Sequence, residues 1–279
     1  MTDQQRKTVL VTGGSSGFGR AALASFLAQG WNVAATARQP SAQGQQGPAD
    51  NLLVCAMDVR DADSVAAAVE RAVERFGRLD CVVNNAGAGL LSVFEATPMT
   101  AVRELFETNV FGMMRVTHAV LPYFAAQGEG RVVNVSSGSG IVPEPLMSVY
   151  AATKFAVEGF TESLRYELAI RNVVVKLVEP GLVPDTNFVQ RTAETSRAVP
   201  VPPAYEGYVR RIVARFQEDS PYRLATEGTV ADAIVTAASD NTTHLRYVVG
   251  EDTEVAASMR RETSEKDYNN WALSTYTAG

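Results

Sequence analysis

Cysteine and histidine are scarce in this chain, with two of each in 279 residues. Cys55 and Cys81 both fall in apolar runs that read as buried strands, where a small thiol packs as a hydrophobe. That usage suits a reducing cytoplasm better than a disulfide framework. His118 and His244 stand apart from paired ligands and from any nucleophile pattern, so both read as structural and no metal is assigned. No apolar run approaches the roughly 20 residues that span a bilayer, and residues 1–7 have no apolar signal segment, so a soluble protein is expected. Basic charge is also short: 25 Lys and Arg against 31 Asp and Glu give a net charge of −6, with a pI near 5.1. With no basic cluster, nucleic acid is excluded as the main partner.

What the chain has is core material, since 46% of its residues are hydrophobic. Short, often β-branched runs occur at 8–12, 31–36, 52–57, 79–84, 131–136, 173–179 and 245–249. They alternate with stretches of helical period at 17–29, 62–76, 100–127, 148–171, 204–218 and 227–239. This alternation predicts an α/β fold, a parallel sheet with helices on both faces, in one domain over 1–279. Two segments break it. Residues 39–51 are polar and rich in Gln, Gly and Pro, which reads as a solvated loop. Residues 184–206 carry four prolines and fall at the carboxyl edge of the sheet, where ligands of open α/β folds bind. A loop this long is either functional or a passive excursion.

Tyr150 and Lys154 lie four residues apart in a predicted helix and so share one face. A free phenol has a pKa of about 10, and one that shuttles protons near neutrality needs a cation beside it, which a lysine one turn away supplies. Upstream, Ser136, Ser137 and Ser139 offer competing hydroxyls. Near the N-terminus, the run 8–12 leads through Gly13-Gly-Ser-Ser-Gly-Phe-Gly19 into an amphipathic stretch. In such a strand, turn and helix, glycines allow positive φ and let backbone approach a pyrophosphate held at the helix N-terminus. At the end of the second strand, a carboxylate would hold an adenosine ribose. Here Ala37 stands there, followed by Arg38, whose guanidinium fits a 2′-phosphate. Asp58 ends the third strand, where a carboxylate caps a turn or meets a ligand.

In this order the motifs resemble the single-domain short-chain dehydrogenase/reductase family. The resemblance rests on Thr12-Gly-Gly-Ser-Ser-Gly-Phe-Gly19, Asp58-Val59, Asn84-Asn-Ala-Gly87, Asn109 in Thr108-Asn-Val-Phe-Gly112, Ser137 in Asn134-Val-Ser-Ser-Gly138, Tyr150 with Lys154, and Pro180-Gly181. It covers nearly the whole chain and implies a Rossmann-like, doubly wound sheet of about seven strands in an α/β/α sandwich. It also implies a catalytic set. Tyr150 would exchange a proton with the substrate oxygen that Ser137 holds. Lys154 would bind the nicotinamide ribose and lower the tyrosine pKa, and Asn109 would support a water-linked relay. The family spacing of thirteen residues to the tyrosine selects Ser137 among the serines.

The same resemblance places a nicotinamide dinucleotide against Gly13, Ser15, Ser16, Gly17, Phe18 and Gly19. NADP(H) is expected over NAD(H) through Arg38, although Ser16 stands where many NADP-preferring relatives carry a second basic residue. Asp58 and Val59 would meet the adenine, Asn85, Ala86 and Gly87 would support the cofactor, and Pro180, Gly181 and Val183 would approach the carboxamide. The hydroxyl usual after Pro180-Gly181 is displaced, with Asp185 in its place and Thr186 next. A substrate lid over 184–220 and a homodimer or homotetramer through the Tyr150 helix are implied as well. Leu90, Leu91, Phe94, Pro143, Leu146, Met147, Leu182, Phe188, Tyr205 and Tyr208 lie in segments expected around the pocket. They suit an apolar carbonyl or alcohol, or are ordinary loop packing. A dinucleotide-binding regulator without turnover, and dehydratase or epimerase chemistry on the same fold, are the alternatives. The complete Asn109-Ser137-Tyr150-Lys154 set favours carbonyl and alcohol interconversion.

Overall fold

The computed structural model describes residues 6–40, 50–184, 186–217 and 220–277. Residues 41–49 of the expected polar loop, and Asp185, lie outside them. Seven strands form one sheet: β1 (Thr8–Val11), β2 (Asn32–Ala37), β3 (Leu52–Ala56), β4 (Cys81–Asn84), β5 (Gly130–Val135), β6 (Val173–Pro180) and β7 (Arg246–Val249). Their order is β3-β2-β1-β4-β5-β6-β7, and every pairing is parallel. Each strand begins and ends within two residues of its expected run.

Successive strand residues feed opposite faces, as the period of two requires. Val9 and Val11 join a core with Ala22 and Phe26 of α1 (Gly17–Ala28) and Val230 and Ile234 of α8 (Glu227–Ser239). Leu10 joins the other core, with α2 (Ala62–Phe76), α4 (Gly112–Gln127) and α5 (Ser148–Ala169). Helix α2 buries Val65, Ala68, Val69, Ala72 and Phe76, one face of a 3.6-residue period. Its larger buried side chains stabilise the fold by about 1.5–3 kcal/mol each. Asp61 caps its N-terminus by accepting from the Asp63 and Ser64 amides, and Gly77 ends it at φ 76°. Cys55 and Cys81 are free and buried, and burial pushes the Cys81 thiol up to about 12. Among the described residues, no helix is long and apolar enough to cross a membrane.

Three expectations need correction. The helix expected over 100–127 is α3 (Met99–Phe106), a π-helical turn at Glu107–Phe111, and α4. The extra residue in that turn buries Asn109, and such insertions commonly mark functional positions. The segment 184–206 is not a loop throughout. It contains α6 (Asn187–Arg197) and a 3-10 turn at Pro203–Tyr205, and the helix expected from 204 begins as α7 (Glu206–Gln217). Beyond β7, two further helices were not anticipated: α9 (Glu251–Glu262) and α10 (Glu265–Thr277).

Candidate active site

The chain reverses its direction of strand addition between β1 and β4, and the crevice beyond their carboxyl ends is where open α/β sheets hold ligands. The glycine turn sits there, with Gly13 at φ 70° and Gly17 at φ 54°. A Cβ on Gly19 would stand 2.4 Å from the Gly13 carbonyl oxygen and 2.6 Å from Asn85 Nδ2, so only glycine fits. Ser15 is exposed, and Ser16 and Phe18 are half-buried. Ser16 starts α1 without a side-chain cap, leaving the first amides of that helix available to an anion.

Thr12 joins the two sides of the crevice. Its hydroxyl accepts from the Asn85 and Ala86 amides, each at 2.9 Å, and its carbonyl accepts from Asn85 Nδ2 at 2.9 Å. Composition and periodicity carry no sign of that role.

On the β2 side of the crevice, Arg38 is exposed one residue past β2. Asp58 closes its own turn, accepting from the Arg60 amide at 3.0 Å and from Arg60 Nη2 at 2.6 Å. The Arg60 hydrogen bond, helped by the Arg38 charge, brings the Asp58 carboxyl down to about 2. Val59 is buried against Gly112, where a Cβ would come within 2.7 Å of Val59 Cγ2.

The catalytic candidates converge at the ends of β4 and β5. Ser137 begins a 3-10 turn and accepts from the Ser139 amide at 3.2 Å, and against the upward push of burial its hydroxyl pulls the pKa of the Tyr150 phenol down. Tyr150 is 5% exposed, and its ring lies 5.7 Å from Lys154 Nζ. Lys154 Nζ donates to the Val135 carbonyl at 3.1 Å. Asn109 Nδ2 donates to the Ala88 carbonyl at 2.9 Å and to Thr153 Oγ1 at 3.1 Å, while its Oδ1 accepts from the Ala88 amide at 2.8 Å. Thr153 Oγ1 in turn donates to the Tyr150 carbonyl at 2.7 Å. Asn109 therefore ties the loop after β4 to the helix that carries Tyr150 and Lys154.

The expected lowering of the phenol pKa by Lys154 is not what the protein alone produces. Burial pushes Tyr150 up to about 12, with Ser137 pulling down and Glu144 pushing up. Burial also brings Lys154 down to about 8, opposed by the charge of Glu158. Desolvation disfavours both charged forms and outweighs the attraction between them.

At the end of β6, a Cβ on Gly181 would stand 2.4 Å from both Asp252 Oδ1 and Thr253 Oγ1. Asp252 Oδ2 accepts from the Leu182 amide at 3.0 Å, so the first turn of α9 fixes the Pro180-Gly181 bend. Val183 is buried. Thr186, also buried, gives its hydroxyl to the Val183 carbonyl at 3.1 Å. The acidic first turn and basic last turn of α9 were the signals that could have revealed it.

Of the expected pocket residues, Leu90, Met147 and Phe188 pack round Tyr150. Phe94, Leu146, Tyr205 and Tyr208, with Ser92, Val93, Glu95 and Ser148, line a cavity of about 530 Å³, whose lining includes none of Asn109, Ser137, Tyr150 and Lys154. Leu91, Pro143 and Leu182 do not line that cavity. Helix α6 covers this side, with the Phe188 ring centroid 5.8 Å from that of Tyr150 and Ser196 Oγ accepting from the Leu91 amide at 2.9 Å. The Tyr205 hydroxyl donates to Glu95 Oε2 at 2.8 Å across the mouth.

Fold and site together define a dinucleotide-type α/β protein with a Ser-Tyr-Lys centre. The family model described as short chain dehydrogenase matches residues 7–197. The uncharacterized oxidoreductase YusZ of Bacillus subtilis is 36% identical over 264 residues, 91% of this chain and 93% of that protein. Human 17-beta-hydroxysteroid dehydrogenase type 1 is 41% identical over 197 residues, 67% of this chain and 59% of that protein. A short-chain dehydrogenase from Streptomyces avermitilis superposes with a TM-score of 0.80 at 31% identity, covering 99% of this chain and 100% of its own. A 3-ketoacyl-(acyl-carrier-protein) reductase from Brucella melitensis, complexed with NADH, gives 0.72 at 26% identity over 87% and 96% of the two chains. A short chain dehydrogenase from Burkholderia cenocepacia, complexed with NADP, gives 0.74 at 25% identity over 96% and 98%. The chain belongs to the short-chain dehydrogenase family, oxidoreductases that act between alcohols and carbonyls with a nicotinamide dinucleotide.

Proposed function

We propose that this protein reduces the carbonyl of an apolar small molecule, or oxidises the matching alcohol, with NADP(H) preferred over NAD(H). The observation that carries this reading is the buried Tyr150 phenol, raised in pKa by burial and pulled back by Ser137 beside it, with Lys154 on the same helix face and its ammonium 5.7 Å from the Tyr150 ring. The residues fit a dinucleotide. The turn at Gly13 and Gly19 is a cradle that a Cβ would fill, and the α1 amides face it without a side-chain cap.

The bound cofactor supplies or takes the hydride. Ser137 holds and polarises the substrate oxygen while Tyr150 gives it a proton in reduction, or removes one in oxidation. Lys154 binds the ribose and favours the phenolate when the site is filled, and Asn109 keeps the loop after β4 seated beside it. Support for NADP(H) comes from Ala37 and the exposed Arg38 at the end of β2. Asp58 and Val59 at the adenine, and Asn85, Ala86, Gly87, Pro180, Gly181 and Val183 along the cofactor, complete the proposed cleft. An apolar substrate is supported by the Phe94, Leu146 and Tyr208 lining of the cavity and by the steroid named in the human relative. Residues 184–220 act as its lid. Exposed Phe155 and Tyr166 on α5, with Ile170 just past its end, suit a homodimer or homotetramer formed through that helix, and the free buried thiols suit the cytoplasm.

Tyr150→Phe removes the ionisable oxygen and keeps the ring. It is expected to cut kcat by at least ~10²-fold, the usual contribution of a general acid or base, while NADPH binding measured by fluorescence persists. Retention of more than a tenth of the wild-type kcat with any carbonyl substrate rules out Tyr150 as the proton donor.

A further inference from the structure

Four residues beyond Lys154, on the same face of α5, Glu158 is buried at 7% exposure. Its Oε2 accepts from Arg246 Nη2 of β7 at 3.1 Å. Its Oε1 and the Ser136 hydroxyl are buried without a hydrogen-bond partner among the described residues, and both lie within 3.4 Å of where a Gly140 Cβ would stand. Glu158 is thus wedged beneath the turn that carries Ser137, between the catalytic lysine and the sheet edge. The remaining charges there are Glu162 of α5, which pairs with Arg246, Glu179 of β6, and Arg261 of α9. Three carboxylates face two guanidiniums, and Lys154 is the cation that balances the group.

We infer that Glu158 is a positioning residue that keeps Lys154 charged at alkaline pH, and so sets the upper pH limit of the reaction. This rests on the reading of Lys154 as the lysine of the proton-transfer centre. A carboxylate within about 4–6 Å of an ammonium raises its pKa by about 1–3 units, which opposes the desolvation that buried Lys154 suffers. Burial and the Glu179 charge push the Glu158 carboxyl up, with Ser136 and Arg246 pulling it down, while burial brings Lys154 down. In its ionised form Glu158 is the charge one turn along the same helix face that opposes loss of the lysine's proton. Removing this anion lowers the lysine pKa, and the alkaline limb of kcat/KM moves down with it.

The test is the pH profile of kcat/KM for NADPH-dependent reduction, with thermal melting as the check on folding. Glu158→Gln keeps the shape and the acceptor for Arg246, and moves the alkaline limb down by about one unit, a tenfold loss on that limb. Glu158→Asp retains the charge and most of the wild-type profile. Glu162→Gln, on the solvent side of the same arginine, leaves the limb in place. An unmoved limb in folded Glu158→Gln, or an equal shift in Glu162→Gln, overturns the inference. Should Glu158→Gln fail to fold, Ser136→Ala is read instead. It withdraws the hydroxyl from Glu158 and moves the limb the same way by a smaller amount, and no movement there overturns the inference too. Failure of the lysine's role is seen separately, as Lys154→Ala retaining wild-type turnover.

Discussion

Arg38 is the side chain to which the proposed cofactor preference is assigned. It stands exposed past β2, with Ala37 in place of the acid that would hold a ribose hydroxyl. A charge-assisted bidentate contact contributes roughly 1.5–3 kcal/mol, about ten- to a hundredfold in affinity. Ala37→Asp/Arg38→Ala should therefore reverse the ratio of the NADPH and NADH Michaelis constants, and an unchanged ratio removes Arg38 from cofactor selection. The missing acid and the adjacent cation are both visible in the sequence, and to them the structure adds the exposure of Arg38. Thr12 was legible only as part of a motif, since its role is to bond strands 71 to 74 residues apart. The upward push of burial on the Tyr150 phenol was not legible, because spacing reports neighbours, whereas burial depends on the whole surrounding core.

Among the elements, α6 is the one most open to movement. It buries none of its own residues, yet Phe188 rests on Tyr150 and Gly89 leaves room for Thr192 and Phe188. A helix with so little buried apolar surface opens at low free energy. Amides of 187–197 should exchange quickly in the free and NADP-bound protein and slow markedly with a bound substrate analogue. Equal, strong protection in all three states would mark a rigid cover. The strands were readable because β-branched runs buried on both faces leave little ambiguity. Helix α6 was not, because its Asn, Thr and Ser content is a poor helix signal and the prolines round it suggested a loop. Pro184 and Pro200 in fact lie outside its ends, where proline bounds a helix without breaking it. The π-helical turn at Asn109 likewise leaves almost no trace in an apolar period that merely slips by one residue.

At the scale of the molecule, the chain beyond β7 returns to brace the site. Tyr268 and Trp271 of α10 pack with Ile141 and Val142, within the connection that joins Ser137 to Tyr150. Truncation after Ser264 should lower the melting temperature and cut kcat by roughly 10²-fold, because small displacements of reacting groups are costly. Dinucleotide affinity, set mainly round β1 and α1, should change little. A truncated protein with full kcat would show that this cover is dispensable.

The Thr12 hydroxyl carries a further consequence, for the order of events during synthesis. The cradle for the cofactor is complete only when Asn85 and Ala86 have reached Thr12, a separation of 73 and 74 residues along the chain. Strand β4, and the parallel pairing of β1 with β4, must come first. A nascent chain that has emerged only through β3 holds every glycine of the turn, yet it lacks the partner that fixes their shape. The growing polypeptide is thereby kept from capturing a dinucleotide before its central strands have met.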